Sequence, residues 1–196
     1  TQRRQPGLME RIVLIGAGRV ASQLGPALWN RGVSVVQVIS RSLPETLARA
    51  CDAQALTIDQ LQDMEPHADL YLLAVSDEAI GTVSQHLASR LPSSARIAHT
   101  SGATPLEELS DHFDHRGVFY PLQTFSGGRT IDFTEIPFCI EATTTGFEQD
   151  LMAFAKKLSA RVHRIDSKER GVLHVAGVFA NNFSNHLYTI AQGILD

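Results

Sequence analysis

The stretch Ile12–Ala21, IVLIGAGRVA, sets an apolar run against a glycine-rich turn, and its reading decides the fold. Arg11–Ile15 (RIVLI) is short, apolar and followed by glycine, the pattern of a parallel strand buried on both faces. The segment GAGRVASQLGPALWNRG reads as a turn and a helix closed by Gly32. Gly16, Gly18 and Ala21 stand in G-x-G-x-x-A spacing, directly after the strand and at the opening of the helix. Gly16 permits the tight turn, Gly18 lets the backbone approach a pyrophosphate, and Ala21 lets the helix pack close to the strand. The first helical turn, with Arg19 and Val20, then offers free N–H groups and a positive dipole end to the phosphates. A purely structural turn also matches the bare motif, but the strand before it and the helix after it favour the phosphate reading. Pro26 inside the helix removes one backbone bond and predicts a kink near Ser22–Pro26.

Outward from this unit the alternation continues. VSVVQVIS (Val33–Ser40) reads as a second strand, and ALTI (Ala55–Ile58), DLYLLAV (Asp69–Val75), ARIAH (Ala95–His99), GVFYP (Gly117–Pro121), PFCIEA (Pro137–Ala142) and RVHRI (Arg161–Ile165) as further ones. Helices are predicted over Asp77–Leu91, Pro105–His112 and Gly146–Leu158. Strands alternating with helices predict an α/β fold, a doubly wound, largely parallel sheet covered on both faces. QTFSGGRTIDFTE (Gln123–Glu135) is the one long loop, placed after a strand end where function tends to collect.

Composition narrows the class. With 196 residues, 43% hydrophobic and 19% charged, the chain suits one globular domain plus the start of another. A net charge of -4 argues against a nucleic-acid or membrane-surface partner, because both want a basic face. The two cysteines, Cys51 and Cys139, form no CxxC pair and suggest no disulfide framework, which points to a reducing cytoplasm. Residues 1–8 are polar, lack the apolar run of a signal peptide and read as a flexible leader, with Met9 as the natural start. Residues 9–166 form the sheet domain and 167–196 the start of a helical C-terminal domain.

The end of the second strand selects the cofactor. An NAD site wants an acid there for the ribose hydroxyl, whereas Arg accommodates a 2′-phosphate. Ser40, Arg41 and Ser42 stand at that end with no acid, so the expected cofactor is NADP. Other strand ends carry Val75, Ser76 and Asp77, then His99, Thr100, Ser101 and Gly102, then Tyr120, Pro121, Gln123 and Thr124. Val75, Ser76, Asp77 and Thr100 are expected to wall the cofactor site, with Asp77 capping its helix rather than catalysing. His99 and Ser101 have the residue types of a hydrolase pair, but no G-x-S-x-G elbow surrounds Ser101; a turn or cap role beside bound nicotinamide suits it better. His112 and His115 in DHFDH lack a third ligand cluster, so no metal site is expected.

The segment Gly171–Leu195 contains no Lys, Arg, Asp or Glu. At helical spacing Phe179, Phe183, Leu187, Ile190 and Ile194 fall together with Ala176 and Ala180, opposite a stripe of His174, Asn181, Asn185, Tyr188 and Gln192, with Asn182 at its border. That division argues against a membrane span. Solvated helix faces usually carry charge and Asn is a poor helix former, so the polar stripe suits a cleft wall or subunit seam.

The phosphate turn together with AVSD (Ala74–Asp77), HTSG (His99–Gly102), YPLQTFS (Tyr120–Ser126) and HVAGVFANNFSNHL (His174–Leu187) resembles the Rossmann-like proteins carrying a DUF2520 domain. These are relatives of pyrroline-5-carboxylate reductase and of the 6-phosphogluconate and β-hydroxyacid dehydrogenases. The resemblance covers nearly the whole chain from Met9 and implies a Rossmann-type domain followed by the first long helix of an all-α domain, cut after that helix. It departs from the β-hydroxyacid dehydrogenases at one point. Their terminal helix carries G-x-x-x-K-x-x-x-N with Lys as general acid, whereas here Gly177, Asn181 and Asn185 keep the spacing and Asn181 stands at the Lys position. His174, one turn earlier, is the titratable group of that stripe near neutral pH.

The reading that follows is an NADP-dependent oxidoreductase moving hydride to or from a small polar substrate (imine, keto acid or hydroxy acid). His174 is the candidate proton donor, and Asn181, Asn182 and Ser101 orient the substrate. The missing Lys motivates the alternative of a non-catalytic NADP-binding sensor or partner-binding module; a hydrolase using Ser101 and His99 is the weaker third. Because the apolar stripe of the terminal helix is too large to leave in water, a homodimer through the C-terminal region is expected.

Overall fold

Each short apolar run becomes a strand of one eight-stranded sheet in the computed structural model, which describes residues 9–125, 130–180, 186–187, 190 and 192. The leader 1–8 and the residues Asn181, Asn182, Phe183, Asn185, Tyr188 and Ile194 lie outside the described residues. In chain order the elements are β1 (Arg11–Ile15), α1 (Arg19–Asn30), β2 (Ser34–Ser40), α2 (Glu45–Ala50), β3 (Gln54–Thr57), β4 (Leu70–Leu73), α3 (Ile80–Ala88), β5 (Arg96–His99), β6 (His115–Pro121), β7 (Phe138–Ala142), α4 (Thr145–Ala155), β8 (Val162–Arg164) and α5 (Ser167–Val178). The sheet order is β3-β2-β1-β4-β5-β6-β7-β8. Neighbouring strands are parallel except β6 and β7. The chain returns from β6 to β7 through a loop with no described helix, and a return without a crossover helix gives antiparallel pairing.

β1 lies between β2 and β4 and shows why its sequence is apolar from Ile12 to Ile15. Ile12 and Leu14 belong to the core beneath α1 and α4, Val13 and Ile15 to the core on the opposite face with Leu73 and Ile80. Successive side chains of a strand point to opposite faces, so a strand covered on both must be apolar at every position. α1 runs through Pro26 as one helix and ends where Gly32, at φ +79°, turns the chain toward β2.

The structure revises the sequence expectation at two elements. The helix expected over Pro105–His112 is one 3₁₀ turn, Leu106–Glu108, after which Leu109 is extended and buried in the core. Ser110 N–H then bonds to Ser84 Oγ on α3, so side-chain packing and a hydrogen bond to another element win over local helix propensity. The helix expected from Asp77 opens as a 3₁₀ turn, Asp77–Ala79, and becomes α-helical at Ile80. No described helix is long and apolar enough to cross a membrane.

α5 is anchored at its first turns. Asp166 caps it by accepting from Glu169 N–H at 2.8 Å. Arg170, fully buried, pairs with Glu141 on β7, and its second guanidinium nitrogen donates to the Thr104 carbonyl at 2.6 Å and to Ser167 Oγ at 3.1 Å. Ser167 Oγ also donates to Glu141 and accepts from Leu106 N–H. Further along, Leu173 packs with Leu106, Val118 and Tyr120, while residues 179–180 form a π turn.

Candidate functional site

A cavity of about 650 Å³ opens beyond the carboxyl ends of β1, β2 and β4, where the strand order reverses direction. Doubly wound sheets leave their crevice at this point, because helices on the two sides of the reversal cover opposite faces. Gly16, Gly18, Arg19 and Val20 line it from the first turn, Ser40, Arg41 and Ser42 from the end of β2, and Val75 and Ser76 from the end of β4. Ile58, Ala79 and Val83 add an apolar wall that the motifs did not mark, since nothing local distinguishes them from core residues.

The two glycines of the turn do different work. Gly16 has φ +112°, and a Cβ there would stand 2.2 Å from the Ala74 carbonyl oxygen of the neighbouring strand end. Gly18 is the N-cap of α1 with nothing within 4 Å of an added Cβ, so open space lies over its backbone. No side chain caps α1 and no acid occupies its first turn. The first-turn N–H groups are therefore available to an anion at the positive end of the helix. Arg41 and Ser42 are exposed at the other end of the cavity, and no described residue pairs with Arg41. A cradle open over glycine and an uncapped helix end fit a dinucleotide pyrophosphate, with the Arg41 guanidinium, unpaired among the described residues, lining the other end of the same cavity.

Three sequence-predicted cofactor residues stand outside the cavity wall. Ala21 is a buried residue of α1 packed into the core with Ile12 and Leu14, in the role its size suggested. Thr100 is buried behind β4, its N–H donating to the Leu73 carbonyl at 3.0 Å. Asp77 lies inside the 3₁₀ turn before α3 and does not cap it as expected: Ser76 and Ala79 hold the N-cap positions of the turn and of α3, and no side chain bonds at either.

A second cluster forms at the ends of β5 and β6, the next strands along the sheet from β4. His174 on α5 reaches Tyr120 at the end of β6, with Nδ1 3.0 Å from the hydroxyl and the rings edge to face at 5.8 Å. Both press on Gly102, where an added Cβ would lie 2.5 Å from His174 Nδ1 and from Tyr120 Cζ. Burial, the largest cause, pushes the Tyr120 phenol up to about 12. Thus His174 faces the sheet domain, while Val172, Phe179, Leu187 and Ile190 are exposed. Tyr120 and Gly102 were visible as unusual strand-end residues. Arg170 and Glu141 carried no local signal, because one stands in the first turn of α5 like any charged helix residue and the other lies 29 positions away on β7.

Ser101 Oγ accepts from Ala103 and Thr104 N–H at 3.1 and 3.0 Å, the geometry of a side-chain-closed turn. His99 is fully buried and its Nδ1 accepts from the Ser101 backbone N–H, not from the hydroxyl. Burial first, then the charge of Arg170, pushes its pKa down to about 3, so it stays neutral in water. A base whose nitrogen is spent on a backbone N–H cannot activate Ser101, and the geometry does not form a hydrolase pair. His112 Nε2 is bonded to the Leu91 carbonyl at 2.9 Å, and no group of three or more metal-ligating side chains occurs among the described residues.

Comparisons with known proteins agree with this architecture. A Rossmann-like domain model matches residues 2–122, and the model of a domain of unknown function, DUF2520, matches residues 136–196. A Bacteroides fragilis protein, provisionally assigned as an NADP oxidoreductase, is 42% identical over 95% of this chain and 72% of its own, with a TM-score of 0.87. Synechocystis arogenate dehydrogenase shares the fold at a TM-score of 0.68 and 16% identity, over 82% of this chain and 61% of its own. Prephenate dehydrogenase from A. aeolicus, solved with hydroxyphenyl propionate and NAD+, does so at 0.69 and 12%, over 85% and 63%. No curated protein matches the chain.

Proposed function

Because this chain belongs to the Rossmann-like proteins that carry a DUF2520 domain, we propose that it is an NADP-dependent oxidoreductase acting on a small polar substrate, an imine, keto acid or hydroxy acid. The observation that carries the reading is a single cavity with an uncapped helix end and open Gly18 at one side and Ser40, Arg41 and Ser42 at the other. Gly16, Gly18, Arg19 and Val20 hold the pyrophosphate through backbone N–H groups. Arg41, with Ser40 and Ser42, holds the 2′-phosphate; the lack of an acid at this strand end and the name of the Bacteroides fragilis relative support NADP over NAD. Val75 and Ser76, with Asp77 and Thr100 behind them, border the nicotinamide side. Bound there, the cofactor supplies or accepts hydride. His174 serves as proton donor, and Ser101, Asn181 and Asn182 orient the substrate. Apolar side chains exposed along α5 and beyond support a homodimer formed through this helical region.

Calorimetry with NADPH and NADH tests the cofactor assignment. NADPH should bind roughly tenfold or more tightly, and Arg41→Ala should erase the difference, since a charge-assisted bond to phosphate is worth about 1.5–3 kcal/mol. Equal affinities in the unaltered protein would overturn NADP. A panel of imines, keto acids and hydroxy acids then separates the enzyme from its rival: turnover with NADPH supports the oxidoreductase, and tight binding without turnover of any of them supports a redox-state sensor or partner-binding protein.

A further inference from the structure

We propose that Tyr120 is a positioning residue that keeps a proton on Nε2 of His174 in both charge states of the ring, so that His174 always presents an N–H donor to the cleft. This rests on the reading of His174 as the group that meets substrate. The hydroxyl of Tyr120 lies 3.0 Å from Nδ1, and among the described residues nothing bonds to Nε2. A neutral imidazole has one donor and one acceptor nitrogen, and a tyrosine hydroxyl can take either part. The phenol, held up at about 12 by burial, keeps its proton throughout the range in which histidine titrates. Among the described residues Nδ1 is the hydroxyl's hydrogen-bond partner. A phenol O–H is a stronger donor than a neutral imidazole N–H, while an imidazole nitrogen is a stronger acceptor than a phenol oxygen. The neutral pair therefore forms as O–H to Nδ1, and the ring proton lies on Nε2. When the ring is protonated, Nδ1 also carries hydrogen and the hydroxyl turns to accept from it. Nε2 remains a donor throughout.

The surroundings over-determine this contact. Arg170, one turn earlier on α5, is locked to Glu141 and the Thr104 carbonyl and fixes the helix against the sheet. Gly102 leaves the room that any Cβ would take from both rings. The charged and titratable groups acting on Tyr120 are Cys139, Arg170 and Asp77. None of them stands between the hydroxyl and Nδ1. A permanent donor suits a substrate with an acceptor at the reacting centre, a carbonyl oxygen being reduced, better than a hydroxyl that must lose its proton to the ring.

Nitrogen-15 NMR of protein labelled at histidine tests this without cofactor or substrate, so the result can be read even if the oxidoreductase reading fails. At alkaline pH, long-range proton–nitrogen correlations of His174 should show an acceptor-type Nδ1 and a proton-bearing Nε2. In Tyr120→Phe the two nitrogen shifts should move toward each other as the tautomers mix, while the His99 pattern stays unchanged as a control on the fold. Gly102→Ala, which leaves the phenol present but crowds the pair, should produce the same averaging. A proton on Nδ1 in the unaltered protein, or a His174 pattern that neither variant moves, overturns the proposal.

Discussion

Gly16 and Gly18 stand two residues apart and fail differently when a side chain is added. At Gly16 the positive φ and the Ala74 carbonyl oppose any Cβ, so Gly16→Ala should destabilise the fold itself. Gly18 has ordinary φ of -79° and open space, so Gly18→Val should keep a near-native melting temperature and lose dinucleotide binding. Calorimetric affinity that survives Gly18→Val would exclude the cavity as the pyrophosphate site. His99 makes a pH prediction. Its folded pKa of about 3 lies below the ordinary 6.5, so between these values the unfolded chain binds more protons. Its contribution is complete above about 6.5 and is lost as the pH falls toward 3. Melting temperatures recorded across that window should fall less steeply for His99→Gln than for the unaltered chain, and parallel slopes would contradict the buried neutral ring.

At the scale of elements, α5 is held by a buried ion pair rather than by its apolar stripe. Removing one partner leaves the other charge uncompensated, which typically costs about 3–5 kcal/mol. Glu141→Ala should therefore lower the unfolding free energy by that order in urea titration, with loss of the His174–Tyr120 contact. Arg170→Met combined with Glu141→Leu should recover most of the loss, because an apolar pair of similar volume needs no desolvation. A double variant as unstable as the single one would show that the hydrogen bonds to Thr104 and Ser167, not the charges, hold the helix. The short 3₁₀ turn at Leu106–Glu108 belongs to the same device: Leu106 N–H is taken by Ser167 Oγ, which joins this loop to the start of α5.

For the whole molecule, the large apolar side chains left in water lie mostly on and beyond α5. Val172, Phe179, Leu187 and Ile190 are 69%, 57%, 63% and 46% exposed, and each such side chain gains roughly 1.5–3 kcal/mol on burial. The proposed homodimer would cover this face while leaving His174 turned to the sheet domain. Sedimentation equilibrium should show a dimer for the unaltered chain and a monomer for Leu187→Asp. A monomer at micromolar concentration before any substitution would refute the assembly.

Local chemistry made the sheet domain legible. A strand buried on both faces must be apolar at every buried position, so Ile12–Ile15 announced itself, and a turn at positive φ packed against the Ala74 carbonyl must be glycine at Gly16. What the residues alone did not decide is who meets whom across long sequence separations. Tyr120 and His174 are 54 positions apart, Glu141 and Arg170 29, and Thr104 and Arg170 66. A hydrogen bond leaves no periodicity in either partner's neighbourhood, and a buried Arg looks in sequence like any solvated one. Only the packing of α5 against the ends of β5, β6 and β7 turned these scattered polar residues into a site.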